Sequence, residues 1–375
     1  MAGIYIHVPF CRQACLYCNF HFSTNLALQN DFTAALLKEI DLRIPYLNGE
    51  TVETIYFGGG TPSLLPSSSI RNILESIYRN FKISPDPEIT LESNPDDMQP
   101  DLLQEWNKIG INRLSIGVQS FFTEDLKWMN RAHDGQQAVR AVEEAKNAGF
   151  ENFSLDLIYG SPGLTDEKWS QNLRTAISLE PPHLSCYALT VEPKTALDKL
   201  IRDKKTPDTD PDTQSSQFFA GIEVLESAGY EHYEISSFAL PGKRSRHNSA
   251  YWQSQKYLGL GPSAHSFNGT CRQWNVSNNA LYIRSLEGNM IDYESEILEP
   301  RDRLNEYIMT SLRTVEGLDL QYVSENFGYE KGLELENRAR TYIGRNHMER
   351  KAEKLILTKN GKIFADGIAA AMFFD

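Results

Sequence analysis

Cys11-Arg-Gln-Ala-Cys15-Leu-Tyr-Cys18 holds three of the chain's five cysteines within eight positions. Buried structural cysteines scatter along a chain, so a cluster this dense points to a metal. A mononuclear zinc site takes four ligands, usually in paired C-x2-C spacing, and here zinc would need His7 or His21 to complete the set. A [4Fe–4S] cluster usually takes four cysteines; held by three, it keeps one iron open to bind something else. Just before the loop, residues 3–8 (Gly-Ile-Tyr-Ile-His-Val) form a short apolar run with β-branched and aromatic members, which predicts a buried strand.

Outward from this loop the chain alternates strand and helix. Apolar residues recur at helical spacing over 31–46, with Asp31 as the expected N-cap. A strand is expected over 54–57, ended by Gly58-Gly59-Gly60-Thr61, then a helix over 67–81 and a strand over 89–92. Gly110-Ile-Asn-Arg-Leu-Ser115, Gly149-Phe-Glu-Asn-Phe-Ser154 and Gly229-Tyr-Glu-His-Tyr-Glu234 share one form, a glycine that stops a helix with a strand beginning a few residues on. Residues 181–189 supply another strand. This rhythm predicts a parallel sheet with crossover helices and at least six βα units; a full eight-unit barrel usually needs about 250 residues.

The stretch 204–213 is polar and proline-punctuated and is expected to be a surface loop. Past Phe267 the rhythm fades. A helix is expected over 301–315 with Gly317 as its stop, then a short helix over 320–327, a strand over 355–358, a turn at Asn360-Gly361 and a helix over 363–372. The expected division is a barrel over 1–270 and a small winged-helix-like α+β appendage over 290–375.

Composition narrows the function. The 375 residues are 41% hydrophobic and 23% charged, ordinary for a globular chain, with a formal net charge of −13. That charge repels phosphate backbones, so nucleic acid is not an expected partner, and the appendage is read as a packing or partner-binding module. No apolar run reaches membrane-spanning length, the N-terminus has no signal-peptide pattern, and clustered thiols fit a reducing compartment. The expected location is cytoplasmic.

The C-x3-C-x2-C spacing is the signature of the radical S-adenosylmethionine (SAM) enzymes, and Tyr5-Ile-His7-Val-Pro-Phe-Cys11 resembles the oxygen-independent coproporphyrinogen oxidase group within them. The resemblance runs from about Tyr5 to His265 and continues more weakly to the C-terminus. It implies a partial (β/α)6 barrel. It also implies a [4Fe–4S] cluster on Cys11, Cys15 and Cys18 whose open iron chelates SAM, and cleavage of SAM to a 5′-deoxyadenosyl radical.

Chemistry in such barrels collects at the C-terminal ends of strands. The glycine run Gly59, Gly60, Thr61 follows the second strand and, in the family, meets the amino end of SAM. Glu92 ends the third strand, where a carboxylate can take both ribose hydroxyls. Gln119 ends the fourth, Arg131 lies on the next connection, and Asp156 lies within the fifth. Alone each is an ordinary polar residue; in this order they match the family's SAM-contacting positions, as do Tyr5, Tyr17 and Ala188.

A third constellation is His247-Asn248-Ser-Ala-Tyr251-Trp252. One reading is a loop histidine beside two packing aromatics; the other is an axial heme ligand with aromatic cover. H-N-x-x-Y-W resembles the mark of the HemW branch, heme chaperones related to the oxidases. His265 lies in a small-residue turn and could face the cavity; His133, His183, His232 and His347 are expected to be structural or solvated, and Cys186 and Cys271 to be buried thiols.

Two functions follow from the resemblance. One is a heme chaperone that binds the cluster, SAM and heme and passes heme to an apo-hemoprotein, respiratory and membrane-associated by the family's role, with an electron donor for the cluster. The other is oxygen-independent coproporphyrinogen III dehydrogenase, an oxidative decarboxylase. The chaperone is favoured because the oxidases carry a further cysteine where Phe20 stands here, because they have some tens of residues before the cluster against ten here, and because HNSAYW is intact.

Overall fold

The computed structural model describes residues 1–375. Twelve strands form one sheet: β1 (Ala2–Val8), β2 (Val52–Gly59), β3 (Ile83–Ser93), β4 (Arg113–Gln119), β5 (Phe153–Tyr159), β6 (His183–Ala188), β7 (Glu231–Glu234), β8 (Ser237–Ala239), β9 (Lys256–Leu260), β10 (His265–Phe267), β11 (Cys271–Asn275) and β12 (Tyr293–Ile297). Their spatial order is β12-β11-β10-β9-β1-β2-β3-β4-β5-β6-β8-β7. β1 to β6 run parallel in sequence order, each joined to the next by a crossover that contains helix. The barrel does not close, since β9 pairs parallel on the far side of β1 and β8 pairs antiparallel with β6.

Period-two alternation gives each parallel strand two faces. One face is apolar: Ile4, Ile6, Ile55, Phe57, Leu91, Leu114, Ile116, Leu155 and Leu157 are fully buried in the main core. The other carries Tyr5, Thr54, Tyr56, Glu88, Thr90, Glu92, Arg113, Ser115, Ser154, Asp156, His183 and Ser185, and so lines the interior of the partial barrel with polar groups. Gly110 and Gly149 end their helices at φ +100° and +89°, as the repeated form predicts. Gly229 does the same at +89°, but the strand after it, β7, is an antiparallel edge strand and not a further barrel unit.

Other differences from expectation are local. Helix Gln29–Leu42 starts before Asp31, which sits in its first turn, and a 3-10 turn, Ile44–Leu47, replaces its last part because Pro45 has no amide hydrogen. The polar loop is shorter than expected: Asp210 accepts from the Asp212 and Thr213 amides and opens helix Pro211–Ser227. Asn360-Gly361 lies in a short helix, Lys359–Lys362, capped by Thr358, where a turn is expected.

The second core begins later than residue 290. Strand β12 belongs to the large sheet, and Tyr282, Ile283 and Leu286 of helix Asn279–Glu287 pack in the main core. Helix Pro300–Leu312 starts the smaller unit, whose core joins Leu304, Ile308, Leu335 and Leu355. Its strands β13 (Leu318–Asp319), β14 (Met348–Lys351) and β15 (Lys354–Leu357) pair antiparallel in the order β13-β15-β14, with helices Leu320–Phe327 and Tyr329–Gly344 against them, a winged-helix-like order. No helix is long and apolar enough to cross a membrane.

One buried network fixes the last part of the large unit to its first helix. Glu39, fully buried, accepts from the Gly261 amide (2.8 Å), the Asn275 side-chain amide (2.7 Å) and the Tyr282 hydroxyl (2.6 Å), and Arg43 reaches Gln273 and Asn275. Replacing Glu39 with alanine leaves two buried donors, the Gly261 amide and the Tyr282 hydroxyl, without a partner and the Asn275 amide with only Gly261 O. The expected loss is about 3 kcal/mol or more of unfolding free energy, read as a lower urea midpoint.

Candidate active site at the C-terminal rim of the barrel

The cysteine loop leaves β1 and is tied down at several points. The Cys11 amide donates to Ser23 O (3.0 Å), Leu16 N to Met129 O (3.2 Å) and Leu197 N to Leu16 O (2.8 Å). Asn130 donates to Ala14 O (2.7 Å), and Arg12 pairs with Asp97 (2.9 Å). A loop held by four separate segments presents its three sulfurs in fixed places, all half-buried and unpaired with one another.

They open into a cavity of about 580 Å³. Cys11, Cys15 and Cys18 line it, as do Tyr17, Gly59, Gly60, Thr61, Glu92, Gln119, Arg131, Asp156 and Ala188, so the structure brings these expected residues together. The glycines are required: Gly59 has φ +105° and a Cβ there would lie 2.7 Å from the His7 ring, while one on Gly60 would lie 2.7 Å from Phe10 O. Gln119 holds φ +66°, a left-handed strain that turns the end of β4 over the cavity.

A hydrogen-bonded arc joins two of the sulfurs. Thr61 Oγ1 donates to Cys11 Sγ (3.5 Å) and Asn94 Nδ2 to Thr61 Oγ1 (3.2 Å). Arg131 donates through Nη2 to Asn94 Oδ1 (2.6 Å) and Gly117 O (2.8 Å), and through Nη1 to Cys15 Sγ (3.3 Å). Asn94 carries no motif of its own in the sequence; its signal is its place two residues past Glu92, just beyond the end of β3. Burial pushes the Cys11 thiol up to about 11 and that of Cys18 upward, so loading a cluster here releases protons.

Two carboxyls sit deeper. Tyr56 OH donates to Glu92 Oε1 (2.7 Å), and Ser115 Oγ donates to Asp156 Oδ2 (3.1 Å). Burial pushes the Glu92 carboxyl up to about 7; the Tyr56 hydroxyl pulls it down and Asp156 pushes it further up. Burial likewise raises Asp156, whose Oδ1 has no partner at all. Cysteines for iron, a glycine cradle, and two carboxyls, Glu92 and Asp156, among the residues lining the cavity fit a cluster with a hydroxyl-bearing ligand beside it.

The zinc alternative does not fit. His7 Nε2 donates to His21 O (2.8 Å), Tyr5 OH meets His7 Nδ1 (3.3 Å) and His21 Nε2 is bonded to Asn279 (2.7 Å), so neither histidine turns to the sulfurs. No three His, Cys, Asp or Glu side chains converge on a single-ion site.

Tyr5 and His247 lie outside the cavity lining. His247 is buried, and both ring nitrogens are engaged, Nδ1 with Thr54 Oγ1 (2.8 Å) and Nε2 with Tyr251 OH (3.0 Å). Burial pushes its imidazole down to about 3. As it sits it offers no nitrogen to a heme iron. Trp252 of the same helix, Arg246–Trp252, packs under the Arg313 guanidinium (5.2 Å), joining the motif to the C-terminal unit. His265 is exposed and stacks on Trp274 away from the cavity; His133, His183 and His232 are buried. Cys186 is buried, whereas Cys271 is only half-buried.

A profile for the radical SAM superfamily matches residues 5–176. The chain is 40% identical to the heme chaperone HemW of Escherichia coli (strain K12) over 265 residues, which cover 70% of this chain and 69% of that protein. It is 32% identical to heme chaperone HemW of Mycobacterium tuberculosis (strain CDC 1551 / Oshkosh) over 99% of this chain and 94% of that one. Among solved structures, coproporphyrinogen III oxidase (HemN) from Escherichia coli, described as a radical SAM enzyme, superposes with a TM-score of 0.86 at 24% identity, covering 99% of this chain and 90% of that chain, a likeness of fold.

Proposed function

The chain belongs to the HemW heme-chaperone family of the radical SAM superfamily, and from that membership we propose that it binds heme and transfers it to apo-hemoproteins, with a [4Fe–4S] cluster and SAM at the barrel rim. What carries this reading is the near-full-length match to proteins of that name, combined with Phe20, a 69% exposed aromatic at the cavity mouth, at the position where the oxidases have a cysteine.

In this reading Cys11, Cys15 and Cys18 hold the cluster, and Gly59, Gly60 and Thr61 admit the amino end of SAM. Glu92 and Asp156 accept from hydroxyls, and Gln119, Arg131, Tyr17 and Ala188 close the remaining sides. The cluster supplies one-electron chemistry at the SAM sulfonium when loaded and reduced. Arg131 keeps a guanidinium donor 3.3 Å from Cys15 Sγ and so fixes that sulfur in the loop. Ligation of heme by His247 requires its ring to leave Thr54 and Tyr251.

Heme titrated into reconstituted protein should give a saturable Soret band with a dissociation constant in the micromolar range or tighter. Absence of that band at stoichiometric heme would reject the chaperone reading.

The carboxyl at Glu92 also sets a pH dependence. Ribose hydroxyls donate to its ionised form, so SAM selects the carboxylate and affinity falls as pH drops below about 7. At pH 6 about a tenth of the sites are ionised, so SAM should bind about tenfold more weakly than at pH 8. Isothermal titration across pH 5.5–8.5 checks this; a flat profile would show that Glu92 is not the ribose contact.

A further inference from the structure

Helix Arg246–Trp252 delivers His247 to the floor behind the cavity, into a seat built from distant strands. Glu88 accepts the Arg246 and His247 amides (3.1 and 3.0 Å) and pins the first turn. Gly3 makes the room: a Cβ there would lie 2.9 Å from Thr54 Oγ1 and 3.3 Å from the His247 ring. The imidazole stacks on Tyr56 at 4.9 Å between centroids and 23° between planes, and lies near-parallel to Tyr5 at 6.3 Å. The far end of Tyr56 is the hydroxyl that donates to Glu92. Tyr5, Tyr56 and Glu92 converge over Gly58, where a Cβ would lie within 3.0 Å of all three.

We propose that His247 is a positioning residue for the SAM site: its ring, stacked on Tyr56, holds the Tyr56 hydroxyl against Glu92 and so sets the carboxylate that receives the ribose. The proposal rests on the assignment of Glu92 to SAM. It does not rest on heme, and it gives HNSAYW a task in the state where His247 is seated. With the ring removed, Tyr56 gains room to turn and Glu92 loses its one phenolic donor. The charged and titratable groups around Glu92 are then Asp156, Arg113, Tyr5, Tyr187 and Tyr251; of these Arg113 favours ionisation, and the Gly59 amide does so too.

The test uses reconstituted full-length protein, with iron and sulfide assayed in each variant and SAM as the probe. His247→Ala and Tyr56→Phe should each weaken SAM binding about tenfold and move the midpoint of its pH profile upward, since Tyr56→Phe removes the donor to the carboxylate and His247→Ala lets it turn away. His247→Phe keeps a flat ring in the seat and has no nitrogen for iron; it should retain affinity within about threefold and the wild-type midpoint. Wild-type affinity and midpoint in His247→Ala, or a His247→Phe as weak as His247→Ala, overturns the proposal. Should His247→Ala fail to load its cluster, His247→Phe and Tyr56→Phe decide: the first must behave as wild type and the second must not. Glu92→Ala separates the premise. If it binds SAM normally, the ribose assignment falls and the positioning role with it. If it loses SAM while His247→Ala does not, the positioning role alone falls.

Discussion

Replacing Cys15 with alanine is expected to abolish the cluster, read as loss of the brown chromophore and of iron from about four per chain to near zero. With one of three sulfurs gone, two thiolates remain for four irons. Arg131 then loses the partner of its Nη1, while Asn94 and Gly117 O keep its Nη2. The fold should survive, because the loop is tied by backbone bonds at Cys11, Leu16 and Ala14 that do not involve the sulfur. Cys186→Ala is the control: that thiol is buried in β6 among main-core residues, so iron content should be unchanged. Stoichiometric iron and sulfide in Cys15→Ala would refute the three-cysteine site.

Glu92→Ala should leave the cluster intact and cost about a hundredfold in SAM affinity, the scale of losing two hydrogen bonds to a charged acceptor. The loss should be largest above pH 7, where the wild-type carboxyl is ionised, and should shrink toward pH 5.5, where it is protonated. The thermal midpoint should move far less than the affinity does: the variant removes a carboxyl whose burial is unfavourable while freeing the Tyr56 hydroxyl and the Gly59 amide at the cavity. Equal loss at pH 5.5 and pH 8 would show that Glu92 acts through shape, not charge.

The rim of the barrel was legible because its chemistry is local. Three cysteines in eight residues, a glycine run at the end of β2, and single polar residues at the ends of β3 and β4 and within β5 each belong to a strand that the hydrophobic pattern marks. Helix stops at Gly110 and Gly149 were legible for the same reason, since a left-handed glycine is written at one position. Strands β8 to β12 were not, because each runs only three to five residues and their pairing partners give no local period. Helix Tyr329–Gly344 is masked in the sequence by Gly332, which breaks the pattern there but in space lets the helix approach Ser324, where a Cβ would lie 2.2 Å from Oγ. His247 is the sharpest case. Its motif was visible, but its surroundings are Gly3, Thr54 and Tyr56, up to 244 positions away, and no local pattern tells that an imidazole is seated against them and not open to solvent.

The chaperone reading meets its most direct test in one paired assay. Anaerobically reconstituted protein with SAM and a strong reductant receives coproporphyrinogen III in one tube and heme in another, and the readouts are protoporphyrinogen, 5′-deoxyadenosine and the heme spectrum, followed by addition of an apo-hemoprotein. The expected result is heme bound and then moved to the acceptor, with no decarboxylated product. Protoporphyrinogen formed in step with 5′-deoxyadenosine would contradict it and make the protein an oxygen-independent coproporphyrinogen III dehydrogenase.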